Sequence, residues 1–285
     1  MAATIIDGKA LAAKVRAEVA DEVAELGHVG LATVLVGDDP ASHVYINSKQ
    51  KMATAAGIEA HDHRLPGDMS QDDLLAFIAE LNADDSIDGL LVQLPLPDHI
   101  EEHTIIEAID PAKDIDGIHP YNAGRLMMGR PTLVPATPRG IMRMLEEYEI
   151  ELQGANAVVI GRSNIVGRPI AQLLLHANAT VTVCHSRTQD LGRHTLDADV
   201  LVAAVGRLHI VAPDMVKAGA TVIDVGMNRT HEGLFGDVDP GAMERAAFMT
   251  PVPGGVGPMT IAMVLENTVT AARARRHEKL ANPAH

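Results

Sequence analysis

Apolar and polar positions along the chain switch repeatedly between a helical period and strand-like runs. Over residues 9–26, Leu11, Val15, Val19, Val23 and Leu26 recur at helical spacing, which predicts an amphipathic helix. Residues 31–36 form a continuous apolar run, as expected of a strand buried on both faces. Gly37-Asp-Asp-Pro40 turns the chain, and Ser42 is placed to N-cap a helix reaching about Ala56, with Ile46 and Met52 among its buried positions. A strand at 58–65, a helix from Ser70 through Leu81, a buried strand at 87–94 and a helix at 100–109 follow. Residues 111–135, rich in Gly, Asp and Pro, read as a loop too long for an ordinary connector and so expected to be functional. Thr137-Pro138 reads as the N-cap and first-turn proline of a helix to about Tyr148. Strands are then expected at 157–160, 180–184, 200–204 and 221–225, with helices between them. Pro251-Val-Pro-Gly-Gly-Val-Gly-Pro258 breaks the pattern, and a last helix is expected from about Thr260 to about His277.

Alternation of this kind predicts an α/β fold of two α/β domains around a cleft, divided near Thr137. A length of 285 residues, 47% of them apolar, suffices for two cores. The net charge of −15 argues against nucleic acid or an anionic membrane as partner, and three Phe, three Tyr and no Trp offer no base-stacking surface. No apolar run approaches the length of a membrane span, and the N-terminus has no basic region followed by a long apolar run, so no signal peptide is expected. The single cysteine, Cys184, fits a reducing compartment and a buried, inert thiol. A cytoplasmic protein is the expectation, and the Asn178 and Asn228 sequons read as chance.

Candidate chemistry begins where the strand at 157–160 runs into Gly161-Arg-Ser-Asn-Ile-Val-Gly167. Glycines between a strand and a helix let backbone N–H groups approach a pyrophosphate, although Ser163 stands where the dinucleotide fingerprint has its second glycine. An NAD site would place a carboxylate after the next strand; here that strand ends in His185-Ser186-Arg187. A hydroxyl and a guanidinium, with Arg162 adding a second positive charge, suit a 2′-phosphate and point to NADP. Tyr45 and Lys49 lie four apart on one predicted helix, hence on one face. A lysine kept dry beside an aromatic ring can serve as a base or pass a proton to a leaving group. Gln93 interrupts an apolar run near a strand's carboxyl end, where α/β sheets bind ligands. Asp114 and Asp116 sit in the long loop, and a carboxylate there can accept two parallel hydrogen bonds from an amidine-like edge. His61 and His63 have ligand-capable spacing but lack a third partner, so no metal is expected.

Taken together, six blocks resemble the bifunctional methylenetetrahydrofolate dehydrogenase/methenyltetrahydrofolate cyclohydrolase family. They are Gly37-x-x-x-Ala-Ser-x-x-Tyr45-x-x-x-Lys49, Val92-Gln-Leu-Pro-Leu96, Lys113-Asp-Ile-Asp-Gly117, Asn122-x-Gly-Arg-Leu126, Gly161-Arg-Ser-x-Ile-Val-Gly167 and the segment from Pro251 to Thr260. The resemblance implies that methylenetetrahydrofolate loses a hydride to NADP and that the methenyl product is hydrolysed to formyltetrahydrofolate. It makes Lys49 the catalytic group, supported by Gln93, with Asp116 gripping the pterin edge. Tyr45, Val92, Leu94 and the Pro253, Gly254, Gly255, Val256 and Gly257 turn would line the folate site. Gly161, Arg162, Ser163, Ser186 and the Met227 backbone would hold NADP. It also implies a homodimer, and a folate domain of residues 1–137 joined by a helix within 260–285, with 138–259 a Rossmann-like NADP domain. Ala136 replaces a commoner Cys and Met227 a commoner branched aliphatic, neither removing needed chemistry. The rival readings are a shikimate-dehydrogenase-like NADP oxidoreductase, which would not explain Tyr45-x-x-x-Lys49 with the Pro-Gly-Gly-Val-Gly-Pro block, and a non-catalytic NADP sensor.

Overall fold

A computed structural model describes residues 2–281, without the side chains of 41, 44 and 278–281. In chain order the elements are β1 (Thr4–Ile5), α1 (Gly8–Leu26), β2 (Gly30–Val36), α2 (Pro40–Ala55), β3 (Glu59–Leu65), α3 (Gln71–Ala83), β4 (Gly89–Val92), α4 (Glu102–Ala108), α5 (Pro120–Met127), α6 (Ala136–Glu147), β5 (Asn156–Ile160), α7 (Gly167–His176), β6 (Thr180–Cys184), α8 (Leu191–Thr195), β7 (Val200–Ala203), β8 (Thr221–Asp224), β9 (Asn228–Thr230), β10 (Gly233–Phe235), β11 (Phe248–Met249) and α9 (Val256–Ala281). Two short 3-10 turns, Pro213–Met215 and Pro240–Glu244, complete the list. The chain divides into two units, residues up to 12 with 137–260, and 13–136 with 261 onward.

The unit holding residues 13–136 has a parallel three-stranded sheet in the order β3-β2-β4. All seven residues of β2 are buried, as its apolar run predicts for a central strand, whereas β3 at the edge alternates between exposed and half-buried positions. Val34, Val36, Leu90 and Val92 pack with Leu74, Ile78 and Ile105 in one cluster. Ser70 caps α3, accepting from the Asp73 N–H at 3.1 Å and donating to its carboxylate at 2.6 Å. α9 anchors itself to this unit through Asn267, whose side-chain N–H groups donate to the carbonyls of Ile115 at 2.7 Å and Val134 at 2.8 Å.

The other unit carries a six-stranded parallel sheet in the order β1-β11-β8-β7-β5-β6. Its central strands β7 and β8 are buried throughout, and Val158, Ile160, Leu201, Val211 and Val222 share one core. A small antiparallel hairpin, β9 with β10, follows β8.

Several elements depart from the periodicity. Residues up to 12 do not group with 13–136: Thr4 and Ile5 pair with Phe248 and Met249, and a two-residue strand is too short to show a period. The cap of α2 is Asp39, accepting from the Ser42 N–H at 2.8 Å and hydroxyl at 2.7 Å, so the helix begins at Pro40 and Ser42 is a donor inside it. The stretch 111–135 contains α5, capped by His119 with Pro120 at its first turn, a start hidden by the Gly and Pro around it. β4 ends at Val92, short of Gln93, and α9 starts at Val256 rather than near Thr260. Thr137 is not a cap; its hydroxyl meets that of Thr260 at 2.9 Å.

Candidate active site

Lys49 and Gln93, far apart in sequence, meet in the unit of residues 13–136. The Lys49 ammonium donates to Gln93 Oε1 at 3.2 Å, and the lysine is 8% exposed. Gln93 continues the ladder beyond β4, its backbone N–H donating to the Val34 carbonyl at 2.8 Å. Its side-chain N–H donates to the Leu94 carbonyl at 2.7 Å, which fixes the amide so that oxygen faces the lysine. Tyr45 stands one turn before Lys49 on α2 and is 37% exposed. Val92 is buried and Leu94 half-buried, bounding Gln93 with apolar surface. The Leu94–Pro95 peptide is cis.

The Lys113-Asp-Ile-Asp-Gly117 block divides its labour. Lys113 is structural, its ammonium donating to the carbonyls of Leu81 at 3.0 Å, Asn82 at 2.7 Å and Asp84 at 2.7 Å. Asp114 is buried and accepts from the N–H groups of His119 at 2.8 Å and Ile118 at 3.3 Å and from the Asn122 side chain at 2.8 Å. Burial pushes its carboxyl above the usual range, against the pull of those bonds. Asp116 is half-buried and makes no side-chain hydrogen bond among the described residues. It is the carboxylate of the block left with its acceptors open. His63 packs edge-on against Phe77 with ring centroids 5.1 Å apart, and burial lowers its pKa. No group of three metal-ligating side chains occurs among the described residues.

In the six-stranded unit, β5 ends at Gly161, where φ is 124° and a Cβ would overlap the Ala204 carbonyl. Gly167 opens α7 so close to the Gly161 carbonyl that it also has no room for a Cβ. The Ser163 hydroxyl accepts from the N–H groups of Val166 and Gly167, both at 3.2 Å, so it closes the turn from inside. Arg162, Ser186 and Arg187 are exposed after the carboxyl ends of the neighbouring strands β5 and β6. His185 shapes the second turn, donating its backbone N–H to the Thr188 hydroxyl at 2.8 Å while its ring accepts from the Arg187 N–H at 3.1 Å. A backbone cradle that excludes side chains, two open guanidinium groups and no carboxylate fit a dinucleotide bearing an extra phosphate. Cys184 is buried, and burial raises its thiol pKa.

Met227 is 48% exposed, and its sulfur lies 3.8 Å from where a Cβ on Gly257 would stand. Gly257 belongs to the first turn of α9, just past the Pro253-Gly254-Gly255-Val256 turn.

Two models match the sequence over most of its length. The catalytic domain of tetrahydrofolate dehydrogenase/cyclohydrolase matches residues 6–116, and the NAD(P)-binding domain of the same enzyme matches residues 135–276. The chain belongs to the tetrahydrofolate dehydrogenase/cyclohydrolase family. Bifunctional protein FolD of Burkholderia thailandensis is 58% identical over 278 residues, spanning 95% of this chain and 98% of that protein. The bifunctional FolD structure from Campylobacter jejuni is 49% identical with a TM-score of 0.95, over 96% of this chain and all of that one (100%). The Trypanosoma brucei FolD, solved with NADP cofactor and an inhibitor, is 37% identical with a TM-score of 0.91, over 97% and 99% of the two chains. This member of the tetrahydrofolate dehydrogenase/cyclohydrolase family is therefore a bifunctional enzyme with an NAD(P)-binding domain, and the shikimate-dehydrogenase-like and non-catalytic readings fall away.

Sequence reasoning passed over the most densely bonded group in the family's cofactor unit. Asp224, at the end of β8, and Asp237 are 2% and 0% exposed, and backbone N–H groups surround both carboxylates. Burial, with Asp237 adding its charge and three N–H bonds opposing, pushes the Asp224 carboxyl from 3.8 up to about 6. Between those values the native protein holds a proton the unfolded chain has lost. The resulting stabilisation is complete below 3.8 and is lost as pH rises through 6. Relative to Asp224→Asn, the wild type is expected to gain about 1 kcal/mol of unfolding free energy between about pH 7.5 and about pH 5, read by denaturant titration. Equal pH slopes in the two proteins would show that Asp224 is ionised throughout.

Proposed function

We propose that the protein oxidises 5,10-methylenetetrahydrofolate with NADP and hydrolyses the methenyl product to 10-formyltetrahydrofolate, in one-carbon metabolism. The observation that carries this reading is the pairing of a nearly buried Lys49 with an amide-locked Gln93 past the carboxyl end of β4. Hydrolysis of a methenyl cation requires a proton to leave the attacking water and another to reach a ring nitrogen. Lys49 carries that traffic, and Gln93 Oε1 holds its Nζ in place. Tyr45 supplies an aromatic wall on the same helix face, and Val92 and Leu94 flank Gln93. Asp116, with open acceptors, takes the amidine-like pterin edge through two parallel hydrogen bonds. The backbone of Pro253, Gly254, Gly255, Val256 and Gly257 contributes a further folate contact.

NADP, when bound, accepts the hydride. The backbone of Gly161 and Ser163 holds its pyrophosphate, Arg162, Ser186 and Arg187 its 2′-phosphate, and the Met227 backbone its nicotinamide end. The folate domain is residues 13–136 with α9 from Ile261 onward, and the NADP domain is the six-stranded unit. The enzyme works in the cytoplasm; no helix among the described residues is long and apolar enough to cross a membrane. It is a homodimer paired through the NADP domains. β6 is an edge strand that bonds only β5, and Val183 on it and Leu175 on α7 are exposed by 40% and 52%.

Initial rates with NADP and with NAD test the assignment. Wild type is expected to prefer NADP, and Arg162→Ser with Arg187→Ser to raise KM for NADP about ten- to a hundredfold while leaving that for NAD unchanged. Equal loss with both cofactors would place the two guanidinium groups elsewhere. No oxidation of methylenetetrahydrofolate by folded wild-type protein would overturn the reading itself.

A further inference from the structure

The buried carboxylates Asp224 and Asp237 join the loops that leave the carboxyl ends of the cofactor sheet. Asp224 Oδ1 accepts from the N–H groups of Gly226 at 2.9 Å and Asp237 at 2.8 Å, and Oδ2 from that of Val238 at 2.9 Å. Its own backbone N–H donates to the Thr250 hydroxyl at 2.7 Å, which ties in the start of the Pro251–Pro258 turn. Asp237 Oδ2 accepts from the N–H groups of Val205 at 2.7 Å and Gly206 at 3.0 Å. Its Oδ1 accepts from the Arg207 N–H at 2.8 Å and the Asn228 side chain at 3.0 Å. Gly236 lies so close to the Asp224 carboxylate that a Cβ there would overlap it.

Three consecutive N–H groups after a strand form a concave anion site, and here an internal carboxylate fills it. The loop after β7 is thereby closed to a phosphate and fixed in one conformation. That loop also bounds the Gly161 turn, through the Ala204 carbonyl against which Gly161 packs. From the Ile160 carbonyl, next to Gly161, which accepts from the Ala204 N–H at 2.8 Å, a chain of contacts runs through 204–207, Asp237 and Asp224 to Gly226, next to Met227. Two carboxylates removed from water are costly to keep, and their bonds here go to loop backbone and to the Asn228 side chain rather than to the core.

We propose that Asp224 and Asp237 are positioning residues for the cofactor: they hold the 204–207 and 225–228 loops at the separation that NADP binding and hydride transfer require. This rests on the NADP-dependent dehydrogenase reading above. Hydrolysis needs no cofactor, so the pair acts on one of the two activities.

The experiment compares wild type with Asp237→Asn and with the milder Asn228→Ala. Asp237→Asn turns an acceptor into a donor against N–H groups, and Asn228→Ala removes one donor to the same carboxylate. Equilibrium Kd for NADPH by fluorescence titration, dehydrogenase kcat and KM for NADP, and cofactor-free cyclohydrolase rate are measured on each. The expected result is a Kd and KM raised about tenfold or more in Asp237→Asn and about threefold in Asn228→Ala, with cyclohydrolase within about twofold of wild type. If Asp237→Asn does not fold, Asn228→Ala carries the test alone. Unchanged NADPH affinity, or equal loss of both activities, overturns the proposal. Wild type that neither binds NADPH nor oxidises methylenetetrahydrofolate fails at the earlier step, the functional reading on which the proposal rests.

Discussion

Lys49→Met is expected to lower the cyclohydrolase rate about a thousandfold, the size of a missing general acid–base group. Methionine has nearly the length of lysine and no charge, so at a position only 8% exposed it fills the space without opening a cavity. Its one structural cost is Gln93 Oε1, which loses the Nζ donor at 3.2 Å. The variant should therefore fold, and the loss should be chemical. Gln93 cannot take over, because an amide has no proton to exchange near neutral pH. The dehydrogenase half differs: the nitrogen lone pair beside the methylene carbon drives hydride loss, which depends on orientation and moves no proton through Lys49. That rate should stay within about tenfold of wild type. Loss of methenyl absorbance without cofactor measures the first activity, and NADPH formation the second. Equal losses would make Lys49 a substrate-binding residue, and an undiminished cyclohydrolase would remove it from the mechanism.

Central elements were legible in the sequence because burial writes a pattern of many residues. β2 is a run of seven buried positions, and β6 occupies the stretch its β-branched residues predict. Gln93 stood out because it interrupts an apolar run and Lys49 because it shares a helix face with Tyr45, and the structure brings the lysine and the amide within hydrogen-bond reach. Elements without a repeat were not legible. β1 is two residues whose partner, β11, lies at the far end of the chain. α5 starts among prolines and glycines that read as loop, although His119 before Pro120 is a capping signal. The Asp224–Asp237 hub was missed for a different reason: single carboxylates near glycines look like ordinary turn residues. The available clue was Asp224 closing an apolar strand, where a carboxylate must find several donors or stay out of the core.

Lys113→Met is expected to reduce stability by about 3 kcal/mol, with little direct effect on either activity in protein that remains folded. The block that holds Asp116 contains a second buried lysine, and its environment is opposite in kind to that of Lys49. Its ammonium spends all three N–H groups on the carbonyls of Leu81, Asn82 and Asp84. These belong to the last turn of α3 and its cap, where a helix leaves carbonyls without internal partners. Burial lowers its pKa and Arg275 adds to the effect, while Asp110, Asp84 and Asp85 act against them. Methionine relieves the cost of burying a charge but takes the Lys113 donor from three carbonyls, of which that of Asp84 keeps the Ile87 N–H at 3.2 Å, and each one left unpaired costs about 1–3 kcal/mol. The second effect is larger, so the sign is destabilising. Urea titration of the variant should show an earlier transition. At low temperature its cyclohydrolase should remain within about tenfold of wild type, because Lys113 has no donor left for a substrate. A variant as stable as wild type but inactive would reverse the assignment and make Lys113 catalytic. Opposite outcomes at the two buried lysines separate a proton carrier with one partner from a helix cap with three.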